Sequence, residues 1–289
     1  MARNRESATP REWACRVTAK TLSGRAIVTR EFDAIRRENA GSGAFDQQGV
    51  SIALGALRHL LTIDHILATV GRYDAKRVSR EVRATLACAG YEIIWQRITP
   101  AVVVASAVDI ARRIAGARSA GMVNALLRRL SDNLEEDTAA WRDDDARLIR
   151  IDWNHARRFR IDIAPSDADA RLAAIVGETP ARVRAMRRRF GKDAEAALWA
   201  SQAQPPLVLQ RNALRVSADD FGRGLREAIG ERGEVEFAGD AAFVRNAGPL
   251  LASEWFCSGA AYAQDVTAAQ AADAVAVQPG ERVLDLCAA

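Results

Sequence analysis

The chain has 289 residues, enough for two or three domains that each bury a core. Its composition, 49% hydrophobic and 27% charged, is typical of a globular protein, and no apolar run approaches the roughly 18 to 20 residues that span a bilayer. The N-terminus is polar and rich in arginine, without the apolar stretch of a signal peptide. We therefore expect a cytoplasmic protein with no membrane partner.

The net charge of +4 hides an asymmetry along the chain. Residues 1–131 hold 21 Lys+Arg against 11 Asp+Glu and residues 141–192 hold 13 against 8, whereas residues 193–289 hold 7 against 14. This predicts a polyanion partner for the first two thirds. Only three of the 41 basic residues are lysines. Arginine suits bidentate phosphate contacts, although an arginine-rich composition is also typical of a GC-rich genome.

The cysteines and histidines do not form a recognisable ligand set. Cys15, Cys88, Cys257 and Cys287 are too far apart for a CxxC pair, and the three histidines do not complete a metal site. We expect no bound metal and interpret the cysteines as reduced, buried thiols.

Apolar residues recur at helical spacing through most of residues 10–137, which predicts an all-α domain over residues 1–137. Pro10, Ser79 and the pair Thr99-Pro100 are typical helix starts, and Gly116 is a typical helix end.

Three further features refine this prediction. The glycine-containing segment 39–44 is expected to be a loop, Asp46 to cap the next helix, and that helix to break near residues 62–64. The last helix is expected over residues 119–136. Asn124 falls on its apolar face, so we expect a buried amide that bonds to neighbouring backbone.

Basic residues lie between the apolar positions of these helices. Five of them are candidates for RNA contact: Arg77, Arg80, Arg83, Arg128 and Arg129. Cations near a helix C-terminus also stabilise the helix dipole, so a structural role stays open for the last two.

The middle of the chain is less regular. Residues 138–165 are acidic and then basic with little periodicity, and we expect a linker. The pattern of residues 166–259 predicts helices followed by a small α/β region. We expect this part of the chain to bind RNA as well. Thr179-Pro180 starts an arginine-rich helix with Phe190 on its inner side. Three arginines of this helix are candidates for RNA contact: Arg184, Arg187 and Arg188. A fourth candidate, Arg211, lies at the end of a later predicted strand.

The C-terminal stretch has the pattern of a first parallel strand. A turn pair, Pro279-Gly280, precedes the apolar run Val283–Cys287, which carries one acid, Asp285. In open α/β sheets the ligand binds outside the carboxyl end of such a strand, where small residues let the backbone approach it.

Several motifs resemble those of one known family. The runs Tyr91–Pro100 and Gly121–Leu130 resemble the closing half of the NusB-like RNA-binding domain that begins bacterial ribosomal RNA (cytosine-5) methyltransferases of the RsmB (Sun) type. The pair Gln264-Asp265 is similar to the Gln-Asp pair that precedes the methyltransferase core in that family. The run Leu284–Ala289 is similar to the start of its S-adenosylmethionine loop. The resemblance implies a multi-domain chain: an all-α NusB-like domain, a small α/β domain, and the first strand of a truncated Rossmann-like methyltransferase domain over residues 260–289.

The same resemblance implies a function. The family methylates carbon 5 of a cytosine in small-subunit ribosomal RNA with S-adenosylmethionine, and its cofactor loop corresponds to Asp285, Cys287, Ala288 and Ala289. The family's nucleophilic cysteine lies further along than this chain extends. We therefore expect that this chain contains no catalytic residue. We expect it to bind RNA, but not to transfer a methyl group by itself. The alternative is a non-catalytic NusB-like RNA-binding module that acts in transcription antitermination.

Overall fold

The computed structural model describes residues 8–24, 26–38, 43–152, 154–202, 205–231, 233–245 and 250–286. They fall into two compact units, within residues 1–203 and 204–289. The expected domain boundaries lay at residues 137, 165 and 259. The difference arises because residues 138–165 are folded into the first unit.

The described residues of the first unit begin with seven helices: α1 (Pro10–Thr21), α2 (Val28–Glu38), α3 (Gly43–Arg58), α4 (Leu60–Val70), α5 (Arg80–Ile94), α6 (Pro100–Ala115) and α7 (Ala117–Asn133). The hydroxyl oxygens of Thr9 and Ser79 accept hydrogen bonds from the backbone N–H groups of Glu12 and Val82, which caps α1 and α5. Gly116, at φ 90°, ends α6. The prediction of a helical domain is confirmed for its described residues as far as Asn133.

Helix α5 lies at the centre of this domain because nearly its whole surface is apolar or small. Residues from Val82 to Ile94 are almost all buried. Leu86 and Ile93 belong to one apolar cluster, and Cys88 belongs to a second on the other side of the helix. A helix without a polar face must be covered on several sides, and α1, α3, α4, α6 and α7 all pack against α5.

The break in the long apolar stretch lies at His59, not at residues 62–64 as predicted. The polar residues that suggested the later break make tertiary contacts from within α4. Thr62 Oγ1 donates to the carbonyl oxygen of Ile175 at 3.4 Å, and the Asp64 carboxylate accepts hydrogen bonds from two side chains. The local polarity of the sequence therefore gave a wrong position for the break.

The start of α3 also differs from the prediction. The helix begins at Gly43, so Asp46 lies inside it and does not cap it. The loop expected over residues 39–44 lies largely outside the described residues. Among the described helices, no single one has the length and apolarity to cross a bilayer, although the pair Gln47–Arg58 and Leu60–Val70, bent by 70°, would pass by length and composition alone.

Residues expected to form a linker make an antiparallel three-stranded sheet. Its strands, in the order β1-β3-β2, are β1 (Leu134–Ala140), β2 (Leu148–Arg150) and β3 (His155–Phe159). Helix α7 therefore ends at Asn133, before the expected residue 136. The sheet is held because Ile149 and Phe159 are fully buried in the helical core. Strands β2 and β3 are too short to show an alternation of apolar and polar residues in the sequence.

Three helices complete the first unit: α8 (Ala168–Val176), α9 (Pro180–Phe190) and α10 (Ala194–Gln202). They enclose a small core that includes Leu172, Val183 and Trp199. Phe190, expected to face inward, is 42% exposed and lies outside this core, so that prediction was wrong. Gly177 has a left-handed φ of 66°, and a Cβ atom there would lie 3.1 Å from the carbonyl oxygen of Arg58.

The second unit has a four-stranded antiparallel sheet in the order β5-β6-β4-β7. Its elements are β4 (Leu207–Arg211), α11 (Ala218–Ile229), β5 (Glu234–Ala238), β6 (Ala241–Arg245), α12 (Glu254–Cys257), β7 (Ala261–Ala263) and α13 (Val266–Asp273). Phe221 and Leu225 of α11 cover the sheet. The sequence also indicated a small α/β region, but placed its end at residue 259, whereas β7 pairs with β4 and lies in the segment that was assigned to the methyltransferase domain.

The strand predicted at Val283–Cys287 is not formed over its described part. Residues 281–285 have no regular structure, and Val283, Leu284 and Leu286 are 63%, 78% and 86% exposed. A parallel strand is stable only when neighbouring strands satisfy its backbone and cover its faces. Among the described residues no strand pairs with this segment.

Candidate nucleic-acid interface

The basic loop consists of residues 71–80, which are the segment between α4 and α5 together with the first residue of α5. Four of its residues are exposed cations: Arg72, Lys76, Arg77 and Arg80. Nε of Arg77 lies 3.3 Å from Oδ2 of Asp74, but the arginine side chain is 87% exposed. Such a pair contributes little and leaves the guanidinium accessible. The candidates Arg77 and Arg80 therefore lie on the surface of one short loop.

Of the two candidate arginines on α7, Arg129 adjoins the basic loop. A Cβ atom placed on Gly71 would lie 3.4 Å from Nη1 of Arg129. Arg128 instead lines the groove between α6 and α7, where its Nε donates to Oδ1 of Asn124 at 3.1 Å. Asn124 is half-exposed and bonds to this side chain, so the prediction of a buried, backbone-bonded amide was wrong. The fold brings one of the two arginines to the basic loop.

Arg83 is half-buried and bound to Asp64. Its Nε and Nη2 lie 3.0 and 2.6 Å from Oδ2 of Asp64, and the arginine and aspartate side chains are 24% and 14% exposed. Oδ1 of Asp64 accepts a hydrogen bond of 2.7 Å from the Tyr73 hydroxyl. Burial, reinforced by the Asp64 carboxylate, raises the pKa of Tyr73 well above its usual value. The hydroxyl therefore remains a donor at neutral pH.

Helix α9 presents a second group of candidates. Arg184 and Arg188 are exposed, and no ion pair joins them to a carboxylate among the described residues. Arg187 lies with Nε 2.9 Å from Oδ1 of Asp169 in α8. Two of the three candidate arginines on α9 are thus free to meet a phosphate, while the third helps hold α9 to α8.

The candidate in the second unit, Arg211, is engaged within its own sheet. Its Nε lies 2.7 Å from Oδ1 of Asp240, its Nη1 donates to the carbonyl oxygen of Val216 at 2.9 Å, and the side chain is 18% exposed. These contacts tie the end of β4 to the turn between β5 and β6.

The candidate cofactor residues are not gathered into a site by the described structure. Asp285 is exposed in the segment that lacks regular structure. Cys287, Ala288 and Ala289 lie outside the described residues. A methyl-donor cofactor needs the end of a paired strand and an adjoining helix N-terminus, and the described residues around Asp285 do not fit this requirement.

The described cysteines differ in accessibility. Cys15 and Cys88 are buried and Cys257 is exposed. Contact with the Cys88 thiol and burial raise the pKa of Cys15 well above its usual value, which makes it a poor nucleophile. No group of three or more His, Cys, Asp or Glu side chains in the described part of the chain could hold a metal ion.

Sequence reasoning missed the hydrogen bond between Tyr73 in the basic loop and Asp64 in α4. The available signal was the position of Tyr73, an aromatic residue within a run of cations. Asp64 gave no such signal, because its partner Arg83 is 19 positions away in the sequence.

The helical domain belongs to a known class. Residues 11–132 match the NusB family, so the first unit contains a NusB-like helical domain, as the motifs predicted. Over 281 residues the chain is 25% identical to ribosomal RNA small subunit methyltransferase B of Pseudomonas putida, covering 97% of this chain and 58% of that protein. It is 24% identical over 284 residues to the protein of the same name from Pseudomonas syringae pv. tomato, covering 97% and 56%.

The resemblance to this methyltransferase group therefore extends along the chain, at low identity. The chain spans a little over half the length of these curated relatives. Among solved structures, that of PH0851 matches with a TM-score of 0.59 at 13% identity, covering 95% of this chain and 57% of the other. This last match supports the fold alone.

Proposed function

We propose that the chain binds ribosomal RNA through its NusB-like domain, and that it serves the methylation of carbon 5 of a cytosine in small-subunit ribosomal RNA with S-adenosylmethionine as methyl donor. The observation that carries the proposal is the placement of Arg129 beside the exposed cations of the basic loop. The names of the relatives support the class of RNA and a methyl transfer, whereas carbon 5 of cytosine and S-adenosylmethionine are inferred from the motif resemblance.

The physical argument for RNA rests on accessible charge. The basic loop and Arg129 offer exposed guanidinium and ammonium groups, and the one carboxylate contact among them in the described part of the chain, Arg77 with Asp74, leaves the arginine side chain 87% exposed. Tyr73 is 8% exposed, so its ring is not available to stack on a base. The contacts expected are therefore with phosphate oxygens, which position an RNA without reading its sequence.

The chemical step needs groups beyond this surface. Carbon 5 of cytosine becomes nucleophilic when a thiolate adds to the neighbouring carbon, and the base must be unpaired or flipped to be reached. The described residues around Asp285 do not fit the cofactor, so we assign to them no step of the reaction. The role proposed for the described residues is to hold the RNA.

The test is binding of a fluorescein-labelled fragment of small-subunit ribosomal RNA, measured by anisotropy at several salt concentrations. We expect log affinity to fall linearly with log salt, by about 0.7 to 0.9 for each phosphate neutralised. A flat salt response would contradict the role of the arginines. Calorimetry with S-adenosylmethionine and assay of methyl incorporation into the RNA test the reaction separately.

A non-catalytic RNA-binding module acting in transcription antitermination is the second candidate. It is favoured by one observation, the match of residues 11–132 to the NusB family. RNA binding without methyl incorporation, in a protein as long as the curated relatives, would favour it over the first.

A further inference from the structure

We infer that Asp64 is a positioning residue for RNA binding: through Tyr73 and Arg83 it fixes the basic loop in the conformation that presents its cations. The inference rests on the proposed function and deepens it, since it concerns how the same surface is organised.

The two oxygens of the Asp64 carboxylate accept hydrogen bonds from different residues. Oδ1 accepts from the hydroxyl of Tyr73, inside the basic loop, at 2.7 Å. Oδ2 accepts from Nε and Nη2 of Arg83, in the first turn of α5, at 3.0 and 2.6 Å. One side chain of α4 thus holds both the loop and the helix that follows it.

Partial burial strengthens the hydrogen bonds of Asp64. The Asp64 side chain is 14% exposed, and the ring of Tyr73 packs in the main apolar cluster of the domain. Hydrogen bonds to a charged acceptor are stronger than neutral ones, and partial burial reduces competition from water. The loop is therefore anchored near its start by the ring and hydroxyl of Tyr73, and after its end by Arg83.

The exposed cations lie between or beside these anchors. Arg72 precedes Tyr73 directly, and Lys76, Arg77 and Arg80 follow before Arg83. A loop that is already ordered loses less conformational freedom when it binds. Asp64 also neutralises Arg83, so this arginine supports the surface and does not take part in the phosphate contacts.

The experiment compares the Tyr73→Phe variant with wild type in the RNA anisotropy titration. Removing the hydroxyl leaves every exposed cation in place. We expect affinity to fall about threefold to tenfold, the value of one hydrogen bond, with the salt slope unchanged. Arg80→Ala should instead lower the slope by about 0.7 to 0.9. Tyr262→Phe, which removes the hydroxyl of a tyrosine that is 48% exposed in the second unit, is the matched control and should bind as wild type does.

Hydrogen exchange provides a readout that does not depend on RNA. In Tyr73→Phe the backbone amides of Lys76 and Arg77, which bond to Asp74, should exchange faster while those of α5 keep their protection. Unchanged exchange in the loop, or wild-type RNA affinity in this variant, would overturn the inference. If wild type itself fails to bind RNA while the loop amides respond as expected, the proposed function fails and the structural part of the inference stands.

Discussion

His59 stacks on Trp95 with ring centroids 4.0 Å apart and an angle of 14° between the planes. The ring of Tyr91 lies parallel to the same pair, with its centroid 5.9 Å from that of His59. The histidine occupies the bend between α3 and α4, so the stack joins this bend to the end of α5.

This stack predicts a loss of stability in mild acid. Burial, and to a lesser extent the charge of Arg58, lower the pKa of His59 from 6.5 to about 3. The unfolded chain therefore binds a proton that the folded chain does not, and stability falls as the pH drops from 6.5 towards 3. Each pH unit within this window costs about 1.4 kcal/mol from this residue.

The measurement is urea unfolding at about pH 7 and about pH 5, where this residue alone should account for roughly 2 kcal/mol. His59→Phe keeps an aromatic ring in the stack and removes the titration. Its free energy of unfolding should depend less on pH over this range. Equal pH dependence in the two proteins would contradict the lowered pKa of His59.

Arg150 is expected to stabilise the junction of the first sheet with α10. Its Cζ lies 4.4 Å from the ring centroid of Trp199 and 5.5 Å from that of Trp141, and the residue is 9% exposed. Arg150→Lys keeps the charge but loses the planar group that stacks on the rings. We expect a loss of about 1 kcal/mol in urea unfolding followed by tryptophan fluorescence. Arg142→Lys, at an exposed pair with Asp144, should leave the free energy of unfolding almost unchanged.

Gly55 is expected to be required by close packing of α3 on α5. A Cβ atom there would lie 2.1 Å from the ring of Tyr91, so Gly55→Ala should destabilise the protein by about 1 to 3 kcal/mol. Gly121, in α7, has nothing within 4 Å of its Cβ position, and Gly121→Ala should stabilise by up to about 1 kcal/mol. Thermal unfolding of the two variants distinguishes a packing effect from simple helix propensity, because propensity alone predicts stabilisation in both.

Arg80 and Arg129 are expected to contribute to RNA binding independently. Each Arg→Ala change should weaken binding and lower the salt slope by about 0.7 to 0.9, and the double variant by about twice that amount. Arg142→Ala is the control, because this exposed arginine is paired with Asp144 and lies on the segment after β1, away from the basic loop in sequence. Loss of affinity in the control equal to that in Arg80→Ala would mean that only net charge matters.

Much of the first domain could be predicted from local sequence. Helix starts at Pro10 and Ser79 depend on residues within one turn, and the apolar spacing of α5 to α7 depends on residues three and four apart. The three-stranded sheet escaped prediction because the burial of Ile149 and Phe159 is decided by helices far away in the sequence. The same reason places the helical break at His59, since Thr62 and Asp64 have partners outside their own helix.

For the candidate interface, the sequence by itself determined which parts of the chain are basic and that a NusB-like domain carries them. Only the tertiary structure decided which cations are accessible. Arg80 and Arg129 remain exposed, whereas Arg83 is bound to Asp64 and Arg211 to Asp240. The physical reason is that an ion pair forms wherever folding brings opposite charges within a few ångströms, and these partners, 19 and 29 positions apart, are set by the packing of whole helices and strands.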